Sequence, residues 1–256
     1  MKVIPSEMRD AYSMDGKVEI CEYHYYGTGG ASRKYYSYSE VLVESWIAKA
    51  KARAPLHYPP SDRWLYQALD KYNISSQHVL IVGSEEPCYE AVCIARDATV
   101  TMVEYQKVES SHPSLSTMTY EEFCRSDILF DACVSVSSVE HSGLGRYGDE
   151  LDPDGDIKSM KEIYNSLKPG GLCFLGVPIG KDQVLWNAHR VYGHERLPLL
   201  IQGFEIVESF GLIYTDFEQD ENVRRLGGKH PFRDGVDGGA HQPILVLKRI
   251  ETNGRI

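Results

Sequence analysis

An α/β fold on a parallel sheet is what this 256-residue chain predicts, and two segments carry the prediction. In one, FDACVSV (residues 130–136) and LCFLGVP (172–178) are apolar runs of the kind found in strands buried on both faces. Between them, Met160, Ile163, Tyr164 and Leu167 recur at helical spacing, with Asp154 or Asp156 placed to cap the helix and the KPGG run placed to stop it. Two buried strands joined by a helical crossover make a βαβ unit, and such units belong in parallel sheets. The other segment spans residues 78–105. There a short apolar strand turns at Gly83, Pro87 opens a helix, and a second strand ends at Glu104.

The remaining elements follow in order. Residues 1–77 read as an arm and a helical cap ahead of an α/β domain at 78–256. The arm carries a tyrosine- and glycine-rich stretch, 22–39, with no helical or strand period; it suits either a lid or a segment packed on the domain. Val43, Trp46, Ile47 and Ala50 mark one face of a first helix, and Trp64, Leu65, Leu69 and Tyr72 mark a second that opens after Pro59-Pro60-Ser61. A third strand fits 114–119 and a helical turn 120–125. A helix fits 195–202, strands fit 204–208 and 243–250, and a polar, glycine-rich excursion fills 214–242.

Composition narrows the function classes. A hydrophobic content of 42% and a charged content of 25% are those of an ordinary globular protein. The net charge of −10 argues against nucleic acid or an anionic membrane as the partner. Six cysteines without a CxxC pair, two of them (Cys133 and Cys173) in core strands, predict reduced buried thiols. No apolar leader and no run of membrane-spanning length is present, so the expected location is cytoplasmic.

Two places suggest a site. The loop 137–156 leaves the carboxyl end of a central strand, where open α/β sheets bind ligands, and carries Glu140, His141, Arg146, Asp149, Asp152 and Asp154. Glu104 stands 21 positions after Gly83 at the end of the second strand, the place from which nucleoside-binding domains grip ribose hydroxyls with a carboxylate. A third cluster, Asn187, His189, Arg190, His194 and Arg196, suits either a polar or anionic ligand or neutralisation of the acidic loop. A nicotinamide-dependent oxidoreductase would need the three-glycine fingerprint, and GSEEP has one glycine.

LIVG with Glu104, FDACVSVSSVEH and LKPGG before LCFLGVP together resemble the class I S-adenosylmethionine-dependent methyltransferases. GFEIVES and PILVLKRI resemble that superfamily's antiparallel sixth and seventh strands. The run from SVEHSGLG to WNAHRVYGHERLP resembles an uncharacterised family grouped with it. The resemblance implies a Rossmann-like three-layer sandwich with an antiparallel last strand, and S-adenosylmethionine as cofactor. It implies that Gly83 and Ser84 lie near the methionine part, Glu104 near the ribose, and Thr119 and Tyr120 near the adenine. Ser138, Glu140 and His141 would face the reaction centre. Glu85 and Glu86 stand where members usually show a second glycine.

The expected reaction is methyl transfer to a small polar acceptor, a hydroxyl in the first instance; the alternative is a non-catalytic binding or scaffolding protein on the same fold. A hydroxyl needs a base, and His141 is chosen for its position after the fourth strand and its near-neutral titration. A Mg²⁺ held by Glu140, Asp152 and Asp154 would be a competing mechanism, but spacing within one loop supports no metal site.

Overall fold

The computed structural model describes residues 3–22, 36–211 and 242–250. The tyrosine-rich stretch (apart from residues 22 and 36–39) and the 214–242 excursion (apart from residue 242) lie outside them. In chain order, α1 (Arg9–Tyr12) and β1 (Glu19–Glu22) precede β2 (Tyr36–Tyr38), α2 (Glu40–Lys51) and α3 (Pro59–Lys71). Next come β3 (His78–Val82), α4 (Cys88–Ile94), β4 (Thr99–Glu104), β5 (Val108–Ser110), β6 (Leu115–Thr119) and α5 (Tyr120–Cys124). Strand β7 (Phe130–Val136) leads through the acidic loop to α6 (Gly155–Ser166) and β8 (Leu167–Gly176). The chain continues with β9 (Gln183–Trp186), β10 (His189–Val191), α7 (Leu197–Leu200), β11 (Phe204–Phe210) and β12 (Ile244–Arg249).

Seven strands form the central sheet in the order β11-β12-β8-β7-β3-β4-β6. All neighbours from β8 to β6 pair in parallel, and β12 is antiparallel to both β8 and β11. The sixth strand therefore runs with the parallel set, and only the last one opposes it, a correction to the expectation that both would be reversed. Two small sheets, β1-β9-β10 and β2-β5, were not legible in the sequence.

Strand alternation divides the interior into two cores. Val79 and Ile81 of β3 face one side with Val43, Ile47, Leu65, Leu69 and Val92 from α2, α3 and α4. Leu80 faces the other with Met160, Ile163 and Tyr164 of α6 and Leu200 of α7. Two helical layers on one sheet make a Rossmann-like three-layer sandwich. Helix α2 buries the four residues its period marks, and the Ser39 hydroxyl caps it by accepting from Leu42 N. Each fully buried Leu, Ile or Val contributes about 1.5–3 kcal/mol through removal from water. Cys133 and Cys173 sit side by side on β7 and β8 as buried free thiols.

The KPGG run does not stand apart as a turn. Helix α6 passes directly into β8 at Leu167, and Gly170, at φ +76°, lies in the bulge that shifts the register against β7 between Phe130 and Ala132. The helix expected over 195–202 is one turn long. Among the described residues, no helix is long and apolar enough to cross a membrane.

Candidate functional site

From β3 the chain moves outward through β4 to β6, and it then returns to β7 on the other side of β3. A crevice must open where the order reverses, beyond the carboxyl ends of β3 and β7. A cavity of about 380 Å³ lies there. Its walls come chiefly from the turn after β3, the end of β4, the loop after β7, the segment just ahead of α3 and Gln242, two residues ahead of β12.

At one end the wall is Glu104 with Tyr105 and Tyr120. The Glu104 carboxylate accepts from Ser84 N (3.3 Å) and Tyr105 N (2.8 Å), which fixes its direction, and burial raises its pKa. The rings of Tyr105 and Tyr120 lie 5.0 Å apart. Gly83 has φ +72°, and a Cβ there would meet Ser138 Oγ at 2.0 Å, so the turn closes tightly on the segment after β7 only because this residue is glycine. The Ser84 hydroxyl points into the protein, donating to Glu86 O (2.6 Å) or to Glu90 Oε2 (3.1 Å), while its carbonyl accepts from Tyr38 OH (2.8 Å). Glu86 pairs with His57 (3.4 Å), and both Glu85 and Glu86 border the cavity at this turn. Thr119 caps α5 in a reciprocal pair with Glu122 and does not line the cavity.

At the other end stand Glu140, His141, Tyr58, Arg146, Tyr147 and Gln242. Val139, fully buried, pins the single 3₁₀ turn that presents Glu140 and His141. His141 Nδ1 lies 2.6 Å from the Ala188 carbonyl. A carbonyl only accepts, so Nδ1 carries the proton and Nε2 is left with a lone pair, 3.9 Å from Glu140 Oε1. Burial, then the charge of Arg146, lowers the His141 pKa well below its ordinary value, so the ring is neutral. Glu140 is fully buried, and burial raises its carboxyl to about 7. Its Oε1 accepts from Gln242 Nε2 (3.3 Å), whereas Oε2 meets no hydrogen-bond partner among the described residues.

The loop behind these groups is rigidly braced. Asp149 accepts from Gly143 N, Gly145 N and Tyr147 N, closing the turn on itself. Gly143 has φ +80°, and a Cβ would collide with Asp152 O at 2.0 Å. Arg190, fully buried, donates to Ser142 O (2.6 Å), Asp152 O (3.3 Å) and Pro153 O (3.2 Å). Arg196 grips Asp156 through Nε (2.9 Å) and Nη2 (2.6 Å), and Tyr192 OH completes that carboxylate (2.9 Å). Tyr12 reaches across to Gly143 O. Of the two roles open to the basic cluster, Arg190 and Arg196 take the structural one and tie down the acidic loop. Asp156 is thereby removed as a helix cap; Asp154 holds the cap position but makes no side-chain cap bond.

Asp152 is engaged with Asp154 N and Lys158 Nζ (2.6 Å). No group of three or more His, Cys, Asp or Glu side chains suited to a metal occurs among the described residues. Gly83, Ser84, Glu104, Tyr120, Ser138, Glu140 and His141 all border one cavity. Tyr58, Tyr105, Tyr147 and Gln242 were missed. Tyr105, next to Glu104, and Tyr147, within the candidate loop, carried a signal in their positions; Tyr58 and Gln242 reach the site only through the fold.

Strand order, the antiparallel last strand and the switch-point cavity define a Rossmann-like three-layer sandwich with a ligand crevice at the carboxyl ends of its parallel strands. The chain belongs to the DUF268 family, described as a Caenorhabditis protein of unknown function, which it matches over residues 76–249. No curated protein matches it. Among solved structures it is similar to the 1,6-didemethyltoxoflavin-N1-methyltransferase of Burkholderia thailandensis, with 14% identity, a TM-score of 0.47 and coverage of 81% of this chain and 80% of that one. It is also similar to TehB of Haemophilus influenzae (14% identity, TM-score 0.46, 73% and 61% covered). A third is the N-methyltransferase NodS of Bradyrhizobium japonicum (12% identity, TM-score 0.44, 74% and 93% covered).

Proposed function

We propose that the cavity binds S-adenosylmethionine and directs its methyl group to a small polar acceptor. The observation that carries this reading is Glu104: a carboxylate at the end of β4, held by two backbone N–H groups and bordering the switch-point cavity. A ribose diol can donate two hydrogen bonds to such a group. The cavity suits the rest of the cofactor too. The Tyr105 and Tyr120 rings, inclined at 44° to one another, offer an adenine aromatic surface to pack against. Five carboxyl side chains (Glu85, Glu86, Glu104, Glu140 and Asp149) against the guanidinium of Arg146 favour a ligand with sulfonium and ammonium charges.

When bound, the cofactor supplies an electrophilic methyl carbon. The protein's share is then to align the acceptor, exclude water and accept a proton. Neutral His141, with Nε2 unprotonated, and Glu140 border the end of the cavity away from Glu104 and are the groups available for that proton. Calorimetric titration with S-adenosylhomocysteine tests the reading. Binding should weaken by on the order of 3 kcal/mol, about a hundredfold, in Glu104→Ala, which removes hydrogen bonds to a charged group. No binding at millimolar ligand, or equal affinity in the variant, rejects the assignment.

A further inference from the structure

We infer that the methyl acceptor is an amine: the cavity end formed by Glu140, Tyr58 and Tyr147 receives an alkylammonium group, and the free Oε2 of Glu140 takes its proton. This rests on the methyl-transfer reading and departs from the hydroxyl that the sequence favours. The first observation is the carboxyl itself. Glu140 is fully buried, Gln242 meets one oxygen, and the other has no protein donor among the described residues. A buried oxygen in that state costs free energy unless a donor from outside completes it, and Glu140 borders the cavity from which such a donor would come.

The second observation is the charge and surface around it. Glu85, Glu86, Glu104 and Asp149 share the cavity; the Arg146 guanidinium already lies over the Tyr147 ring, 5.0 Å from its centroid, and Tyr58 adds a second aromatic side chain to the wall. The charged or titratable groups acting on Glu140 are His141, Arg146 and Tyr147 on its own loop, Tyr58 ahead of α3, and Arg190 and Tyr192 on or after β10; Glu85, after β3, acts on the same Tyr58 and Tyr147. The Arg190 guanidinium is occupied by loop carbonyls, and its bond to this residue is to the Glu140 carbonyl.

The third is proton affinity. Burial places the Glu140 carboxyl at about 7 and lowers His141 well below its ordinary value. An aliphatic hydroxyl, about as weak an acid as water near 15.7, holds its proton far more tightly than either base. An alkylammonium loses its proton near 10, within reach once the neutral amine is consumed. A phenol is comparably acidic, but its anion would stand among carboxylates. In the proposed step the ammonium N–H proton passes to Glu140 Oε2, giving a neutral amine and a carboxylic acid. The nitrogen lone pair then forms the N–C bond as the C–S bond breaks, its electron pair remaining on sulfur as a thioether. The methylated product leaves as an ammonium ion, and Glu140 returns its proton to solvent.

The test compares benzylamine, benzyl alcohol and p-cresol by calorimetry at pH 8, on the free protein and on protein saturated with S-adenosylhomocysteine. Benzylamine should bind at least tenfold tighter than either neutral probe, and Glu140→Gln should erase that preference while S-adenosylhomocysteine still binds. Equal or tighter binding of benzyl alcohol or p-cresol, binding of none of the three, or an intact preference in Glu140→Gln overturns the inference. The wild-type ratio decides the matter even if the variant does not fold. Failure of S-adenosylhomocysteine to bind, with amine selectivity present on the free protein, would instead remove the methyl-transfer reading.

Discussion

Asp156 and Glu140 are both carboxylates with no solvent exposure, and they stand in opposite states. Burial pushes the Asp156 carboxyl upward, but the guanidinium groups of Arg190 and Arg196 outweigh it and hold the pKa below its ordinary value. For Glu140 the balance is reversed: burial outweighs its hydrogen bonds and the charge of Arg146, and the pKa rises. The first arrangement holds a loop in place; the second leaves a proton site and an unmatched oxygen at a cavity wall. Where a buried charge is fully answered by the protein its work is structural, and where it is left unanswered a ligand is the natural complement.

The largest expected effect comes from breaking the answered pair. Arg196→Ala removes two hydrogen bonds to the buried Asp156, leaving Tyr192 OH (2.9 Å) and Arg190 Nε (3.6 Å), and should cost about 3 kcal/mol in a urea unfolding experiment. A loss under about 1 kcal/mol would mean that the Asp156 cluster does not clamp the loop.

Glu90 sharpens the contrast as a second unanswered carboxyl. It is fully buried in α4, its Oε1 has no partner among the described residues, and burial raises its pKa from 4.5 to about 8. The folded state thus binds this proton more tightly than the unfolded state. The resulting stability is complete below about pH 4.5 and is lost as pH rises through 8. Glu90→Gln, neutral at every pH, should match the native protein at acid pH and exceed it at pH 9 by on the order of 5 kcal/mol. Thermal melts across this range check the prediction, and a constant difference would show that the Glu90 proton is not linked to folding.

The smallest effect belongs to charges that water already answers. Lys158 and Asp152 meet at 2.6 Å, but the lysine is 63% exposed, so Lys158→Ala should change stability by less than about 1 kcal/mol. Chemical denaturation of this variant beside Arg196→Ala separates a surface pair from a buried one, and equal losses would erase the distinction.

Much of the fold was legible because periodicity reports burial directly. Val43, Trp46, Ile47 and Ala50 are buried as their spacing requires, and so are Met160, Ile163, Tyr164 and Leu167. The site was legible where it lies next to a strand end. Gly83, Glu104, Ser138, Glu140 and His141 are each within a few residues of the ends of β3, β4 and β7. Tyr58 and Gln242 were not legible, since they come from positions far along the chain that only packing brings together. Thr119, which the resemblance implies lies near the adenine, has its hydroxyl engaged in the local capping box with Glu122.

The sequence by itself determined the parallel sheet, the crossover helices and the glycine turn, because each depends on residues near one another along the chain. Only the tertiary structure decided how the charges divide. Arg190 and Arg196 lie more than thirty positions beyond Asp156, and their guanidinium groups reach the acidic loop because β10 and α7 pack behind it. Desolvation is a property of the folded interior, so nothing local separates Asp156, ionised and clamped, from Glu140, poised near neutrality at a cavity wall.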